Sequence, residues 1–363
     1  MNVFESFSFL ENFLYYPPRP SYNSNTFPGE LCSLNGVLCL SLLHKNPVSN
    51  LIIFCHGNAA DLGLVRSMML RIRDFVKVHI VAVEYPGYGL RRGKPSEQGL
   101  NESVLNVYNF VHSKLGWPKK RIILMGRSIG TGPAVQLAST DEVGGLILIS
   151  PFKSMREVVH SKVGNLSNIF PDLWRNLEVI SKVRCPILLI HGKSDDLIPP
   201  KHSVELYLAC QGEHAHIRLL SGGHNDLPHT LIIKAITAFF SDEHINSEDV
   251  CNRLVIPTKC LINRIFPRLK SSDDAEANEA LIPGTGGNCV YENDQFCMER
   301  PFPDYPPAIG GNPEIELSLC DPNFCSIEEP TPPPGIGGNP EVEGPIPPSF
   351  IGGNSDFDLD FEY

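Results

Sequence analysis

An α/β fold, with a mostly parallel central sheet and helices on both faces, is what this sequence predicts for residues 38–240. Two observations carry that expectation. Short aliphatic or β-branched runs alternate with longer amphipathic stretches, the pattern of parallel strands joined by crossover helices. Gly or Pro bounds most of the short runs, as strand ends require.

The expected strands, in order, are residues 51–55, 79–84, 121–125, 146–149, 186–190 and 217–220. Helices fall between them. From Asn101 to Leu115, for instance, Val104, Leu105, Val107, Tyr108 and Val111 supply an apolar stripe, and Ser96 stands where a capping side chain belongs. An insert between Ser150 and Val179 is rich in apolar residues but too short for a lid domain, so it is expected to form a small cap. Within it, Phe152, Met155, Ile169 and Phe170 are candidates for a substrate pocket, since an apolar wall suits an acyl chain. Packing of the insert onto the domain accounts for most of these residues equally well.

Composition changes abruptly after residue 270. The last 93 residues hold one basic residue, Arg300, against nineteen acidic ones, so the net charge of −11 belongs to this tail. Ile-Gly-Gly-Asn recurs there at Ile309, Ile336 and Ile351, with a looser copy ending at Asn288, amid proline runs. Such a segment buries too little apolar surface to offset its ordering entropy, so residues 271–363 are expected to be disordered. The repeats are spaced irregularly and do not describe a solenoid; they act either as spacer or as ligand for a protein partner. The expected organisation is therefore residues 1–25 as an N-terminal segment, 26–241 as the α/β domain, 242–270 as a connector and 271–363 as the tail.

An acidic balance argues against nucleic acid as a partner. The 11 cysteines form no CxxC pair and do not suit a closed disulfide framework, which favours a reducing, cytoplasmic setting. No basic, apolar leader pattern opens the sequence, and no run approaches the ~20 apolar residues of a membrane span. No cofactor is expected, and no cluster with metal-ligand spacing appears. Val3, Phe7, Leu10 and Leu14 would share one helical face, which suits either a docking helix or one lying on a bilayer.

The chemistry gathers at strand ends. The run 121–125 leads directly into Gly126-Arg127-Ser128-Ile129-Gly130 and then into a helical stretch. Strand, glycine-flanked serine, helix is the nucleophile elbow of the α/β-hydrolase fold, whose sharp turn lifts the serine oxygen above the sheet. A serine hydroxyl needs a base to take its proton and a carboxylate to orient that base, and in this fold they follow in the order Ser, acid, His. Asp195 follows strand 186–190 and is the candidate acid, with Asp196 as rival. His224 follows strand 217–220 on a Gly-rich loop and is the candidate base; His214 and His216 precede that strand and His229 belongs to the terminal helix. Asp226 is placed to cap that helix. An oxyanion hole needs two backbone N–H donors. Ile129, after the nucleophile, supplies one, and Asn58, in the turn His56-Gly57-Asn58-Ala59, supplies the other, with Ala59 as rival. His56 lies in the wrong order for a base and is expected to brace this turn.

Several of these stretches, in register, resemble one family. Residues 54–63 (Phe-Cys-His-Gly-Asn-Ala-Ala-Asp-Leu-Gly), 85–89 (Tyr-Pro-Gly-Tyr-Gly), 93–97, 126–132 and 223–226, with Tyr16-Pro-Pro-Arg-Pro-Ser-Tyr22, are similar to the α/β-hydrolase domain-containing protein 17 family. The resemblance implies a serine hydrolase that removes palmitoyl groups from protein cysteines, working with Ser128, Asp195 and His224 at the cytosolic face of membranes. Three features depart from the pattern: no Cys precedes Cys32, where the family carries a palmitoylated cluster; Arg127 replaces the usual Gln; and the acidic tail has no counterpart. Two other readings stay open. One is a general carboxylesterase, lipase or serine peptidase-like hydrolase; the other is a non-catalytic interaction protein presenting the repeat tail.

Overall fold

The structure is a computed structural model that describes residues 14–210, 214–245 and 254–262. The tail with its repeats and the helical face proposed for residues 3–14, apart from Leu14 itself, lie outside the described residues. The chain clusters into units 1–278 and 279–363, and every described residue belongs to the first.

Eight strands form one mixed sheet. They are β1 (Leu31–Leu34), β2 (Val37–Leu42), β3 (Leu51–Cys55), β4 (His79–Val83), β5 (Ile122–Arg127), β6 (Gly145–Ile149), β7 (Ile187–Gly192) and β8 (Ala215–Leu220). Their order across the sheet is β1-β2-β4-β3-β5-β6-β7-β8, with β1 and β2 antiparallel and all pairs from β4 to β8 parallel. All six expected strands are present. The hairpin β1–β2 is additional, and its cause is local: Asn35 and Gly36 both adopt positive φ (51° and 80°), the two-residue turn whose twist matches antiparallel strands.

Strands β3, β4 and β6 are buried at every position, so their side chains divide between two cores. Leu51, Ile53 and Cys55 join one apolar cluster and Ile52 and Phe54 the other, which is the period-two alternation of a sheet covered on both faces. Each fully buried aliphatic side chain contributes roughly 1.5–3 kcal/mol.

Seven α-helices are present among the described residues: α1 (Leu62–Val76), α2 (Glu97–Asn109), α3 (Thr131–Thr140), α4 (Met155–Val163), α5 (Asn176–Val179), α6 (Lys201–Ala209) and α7 (His229–Asp242). Asp61, Ser96 and Ser154 cap α1, α2 and α4 by accepting from Leu64, Gly99 and Glu157 N–H. In α2, Val104, Val107, Tyr108 and the following Val111 are buried, whereas Leu105 is exposed. One residue past Val104 is a turn of about 100°, which carries Leu105 off the buried face.

Candidate active site

Every parallel strand of the sheet ends on one edge, and the candidate residues emerge there. At the end of β5 the chain enters Ser128 with φ 52°, a left-handed conformation that a non-glycine residue adopts only under strong constraint. The flanking glycines supply that constraint. A Cβ on Gly126 would overlap the Gly130 carbonyl and Thr131, and one on Gly130 would overlap the carbonyls of Cys55 and His56. Backbone therefore packs on backbone around the serine, with α3 starting three residues later.

Ser128, His224 and Asp195 form one hydrogen-bonded chain. Ser128 Oγ lies 3.0 Å from His224 Nε2, and His224 Nδ1 lies 2.7 Å from Asp195 Oδ2. His224 and Asp195 are both buried. The Leu197 and Ile198 N–H groups donate to Asp195 Oδ1 at 3.0 and 2.8 Å. Burial by itself pushes the Asp195 carboxyl up, but hydrogen bonds from His191 and His224 and from the Ile198 N–H outweigh it, so the group lies well below the usual carboxylate range. An ionised Asp195 fixes the proton of His224 on Nδ1 and leaves Nε2 facing the serine hydroxyl as acceptor.

Asp196, the rival acid, is exposed, and its carbonyl accepts from Lys162 of α4. Asp226 does not cap α7, whose N-cap is Pro228. Its carboxylate instead accepts from Gly223 N–H at 2.5 Å and closes the turn that presents His224. Arg127 reaches the same turn, donating to the His224 carbonyl at 3.0 Å and to Asn225 Oδ1 at 3.4 Å.

The turn after β3 lies beside Ser128, because a Cβ on Gly57 would sit 3.7 Å from Ser128 Cβ. His56 is fully buried; its Nε2 meets Glu84 Oε1 at 2.9 Å, its Nδ1 the Gly57 carbonyl at 2.9 Å, and Tyr85 donates to its carbonyl. These contacts hold the turn rather than face the serine. Asn58 belongs to this turn, and Ile129 occupies the first helical turn after the serine, where backbone N–H groups lack intrahelical partners. Ala59 is exposed.

The insert places its apolar residues unevenly. Phe152 and Met155 are buried, with Phe152 edge-on to Trp174 at 6.4 Å. Phe170 is half-buried and Ile169 exposed, alongside Val163 and Leu166. None of the four predicted pocket residues lines the cavity of about 440 Å³ beside His224, whose walls are Ser194, Asp196, Leu197 and residues 222–226. Among the described residues no group of three or more His, Cys, Asp or Glu side chains could hold a metal ion.

One neighbour went unassigned in the sequence. His191, the penultimate residue of β7, is fully buried and points Nε2 at both the Ile198 carbonyl (2.7 Å) and Asp195 Oδ2 (3.2 Å), while Ser203 Oγ meets its Nδ1 at 2.6 Å. Both Nε2 contacts are acceptors, so Nε2 carries the proton and Ser203 donates to Nδ1. Its position four residues before Asp195 on a strand end was the available signal.

Residues 37–218 match a family model described as "Alpha/beta hydrolase of unknown function (DUF1057)". The chain is 33% identical over 211 residues to alpha/beta hydrolase domain-containing protein aho-3 of Caenorhabditis elegans, covering 58% of this chain and 63% of that protein. It is 30% identical over 215 residues to human alpha/beta hydrolase domain-containing protein 17B, covering 58% of this chain and 73% of the relative. The chain belongs to the α/β-hydrolase domain-containing protein 17 family. The match spans less than two-thirds of the nematode relative's length. A Pyrococcus furiosus esterase of known structure shares the fold, with a TM-score of 0.51 at 15% identity over 63% of this chain and 97% of that one.

Proposed function

We propose that this chain is a serine hydrolase that cleaves long-chain acyl thioesters, palmitoyl groups on protein cysteines in particular, through an acyl-enzyme on Ser128. The observation that carries the proposal is the unbroken path Ser128 Oγ, His224, Asp195, at 3.0 and 2.7 Å. As Ser128 Oγ bonds to the carbonyl carbon, His224 Nε2 takes its proton, and ionised Asp195 balances the imidazolium. The Ile129 and Asn58 N–H groups receive the developing oxyanion. On collapse the C–S bond breaks, and the imidazolium protonates the departing thiolate. Water, giving its proton to His224, then attacks the acyl carbon; the fatty acid leaves and Ser128 recovers its hydrogen.

The palmitoyl preference rests on the family's motif pattern. Exposed Val163, Leu166 and Ile169 support it, because Lys162 of the same insert bonds to the Asp196 carbonyl beside the acid. Such a substrate would bring the enzyme to the cytosolic face of membranes; among the described residues no helix is long and apolar enough to cross one. The tail repeats would serve a protein partner. Rates on a palmitoyl-cysteine peptide and on acetyl esters test the preference. Faster kcat/KM on the palmitoyl thioester is expected, and equal or faster acetyl turnover would reassign the chain to general esterases.

A further inference from the structure

Residues 14–22 precede β1, and their hydrogen bonds include several to the parts that shape the oxyanion turn. We propose that this strap is a positioning element of the active site: through the Asn58 side chain it sets where the second oxyanion donor stands. The inference rests on the serine hydrolase reading above.

Asn58 carries the argument. Its Oδ1 accepts from the Tyr16 N–H at 2.9 Å and from the Tyr88 hydroxyl at 2.6 Å, and its Nδ2 donates to the Leu14 carbonyl at 2.7 Å. Both lone pairs of the amide oxygen and one amide hydrogen are thereby committed to the strap and to Tyr88. The side chain works as a bracket between two chain segments 42 and 44 residues apart in sequence, leaving the backbone N–H as the group available to substrate.

The rest of the strap is fixed to the same neighbourhood. Tyr15 is buried, with its ring edge-on to Trp174 at 6.3 Å, and Trp174 in turn covers Gly132 at the start of α3, the helix that follows the nucleophile. Ser21 donates from N–H and hydroxyl to the Asp61 carboxylate, which also caps α1. Tyr22 donates to Glu84 Oε2 at 2.7 Å, and the other oxygen of Glu84 holds His56, whose Nδ1 meets the Gly57 carbonyl. Each end of the strap therefore reaches the turn by its own route.

Two glycines make room for it. A Cβ on Gly63 would overlap Ser21 Oγ and press on Tyr22, and one on Gly89 would overlap Glu84 Oε2 and the Tyr22 hydroxyl. The strap sequence Tyr16 to Tyr22, the Gly63 that ends the first motif and the Gly89 that ends the second thus have a common physical explanation. They build one docked segment against the oxyanion turn.

Steady-state kinetics on a palmitoyl-cysteine peptide, with thermal melting as a check on folding, test this with three variants. Asn58→Ala keeps the backbone donor and removes the bracket; kcat is expected to fall about 10- to 100-fold with KM within about twofold, because a displaced donor harms the transition state more than substrate binding. Gly63→Leu wedges the strap away without touching Ser128 or the turn, and is expected to lower kcat in the same manner. Tyr22→Phe removes only the strap's hydroxyl bond to Glu84, the carboxylate that holds His56, and should reduce kcat by a few-fold at a melting temperature close to wild type. This variant decides the question if either larger change unfolds the chain. Wild-type kcat in folded Tyr22→Phe, with wild-type kcat or a loss confined to KM in the other two when folded, overturns the strap's role and leaves the hydrolase reading standing. A wild type without turnover on any ester or thioester overturns the hydrolase reading, and the strap's role with it.

Discussion

His191 Nε2 lies 3.2 Å from Asp195 Oδ2, the same oxygen that His224 Nδ1 approaches at 2.7 Å. One carboxylate oxygen thus receives two imidazoles, while its partner oxygen receives two backbone N–H groups. Asp195 is held from four directions and cannot rotate away from His224.

Replacing this carboxylate while keeping its shape should separate geometry from charge. An Asp195→Asn amide can present N–H to His224 Nδ1, which moves the imidazole proton to Nε2 and leaves no acceptor for Ser128. A loss of about 10⁴-fold in kcat is expected, at a folded structure seen by circular dichroism. A loss below about tenfold would mean that Asp195 does not orient His224.

Asp195 also makes stability depend on acidity in a defined window. Its folded-state pKa is depressed, so the unfolded chain binds the proton first as pH falls. Its contribution is full above the unfolded value of about 3.9 and is lost as pH drops through the lower folded value. The difference in urea-unfolding free energy between wild type and Asp195→Asn should therefore be constant from pH 7 to about 5 and shrink below about 4.

His202, near the start of α6, acts in the same sense at higher pH. Burial first, and the Lys153 charge second, hold its pKa down to about 4, and its Nδ1 accepts from the Lys153 N–H at 3.2 Å. Between an unfolded value of about 6.5 and this folded one, the unfolded chain alone takes up a proton, so stability falls as pH falls. The cost by pH 4 is on the order of 2–3 kcal/mol. His202→Gln can still accept from Lys153 and should flatten the stability profile between pH 7 and 4; an unchanged slope would place the acid sensitivity elsewhere.

Two glycine substitutions should behave differently. Gly36→Ala meets no atom within 4 Å, so its cost is conformational, about 1–2 kcal/mol for a left-handed alanine, with kcat unchanged. Gly130→Ala drives a methyl into the carbonyls of Cys55 and His56, and is expected to cost at least roughly 1–3 kcal/mol and to lower kcat as the elbow shifts. Paired melting and kinetic measurements distinguish the two effects.

Which parts of the molecule were readable in advance follows from the range of the interactions. Six strands announced themselves as local apolar runs, and the order of Ser128, Asp195 and His224 after those strands anticipated the hydrogen-bonded chain that the three side chains form. The β1–β2 hairpin was missed although Asn35-Gly36 is a strong two-residue turn signal, because the flanking runs are short and partly polar. His191 was missed because its partner is chosen by a loop closing back on the strand, and Asp226 was misassigned because the Gly223 turn competes with α7 for its carboxylate. The pairing of Asn58 with Tyr16, 42 residues away, has no local signature at all.

The central claim is that Ser128 is the nucleophile, and covalent capture tests it most directly. Intact-mass measurement after incubation with a fluorophosphonate is expected to show one adduct on the wild type, mapped to Ser128, and none on Ser128→Ala. A folded wild type that stays unlabelled, or a Ser128→Ala variant that labels equally, would contradict the account.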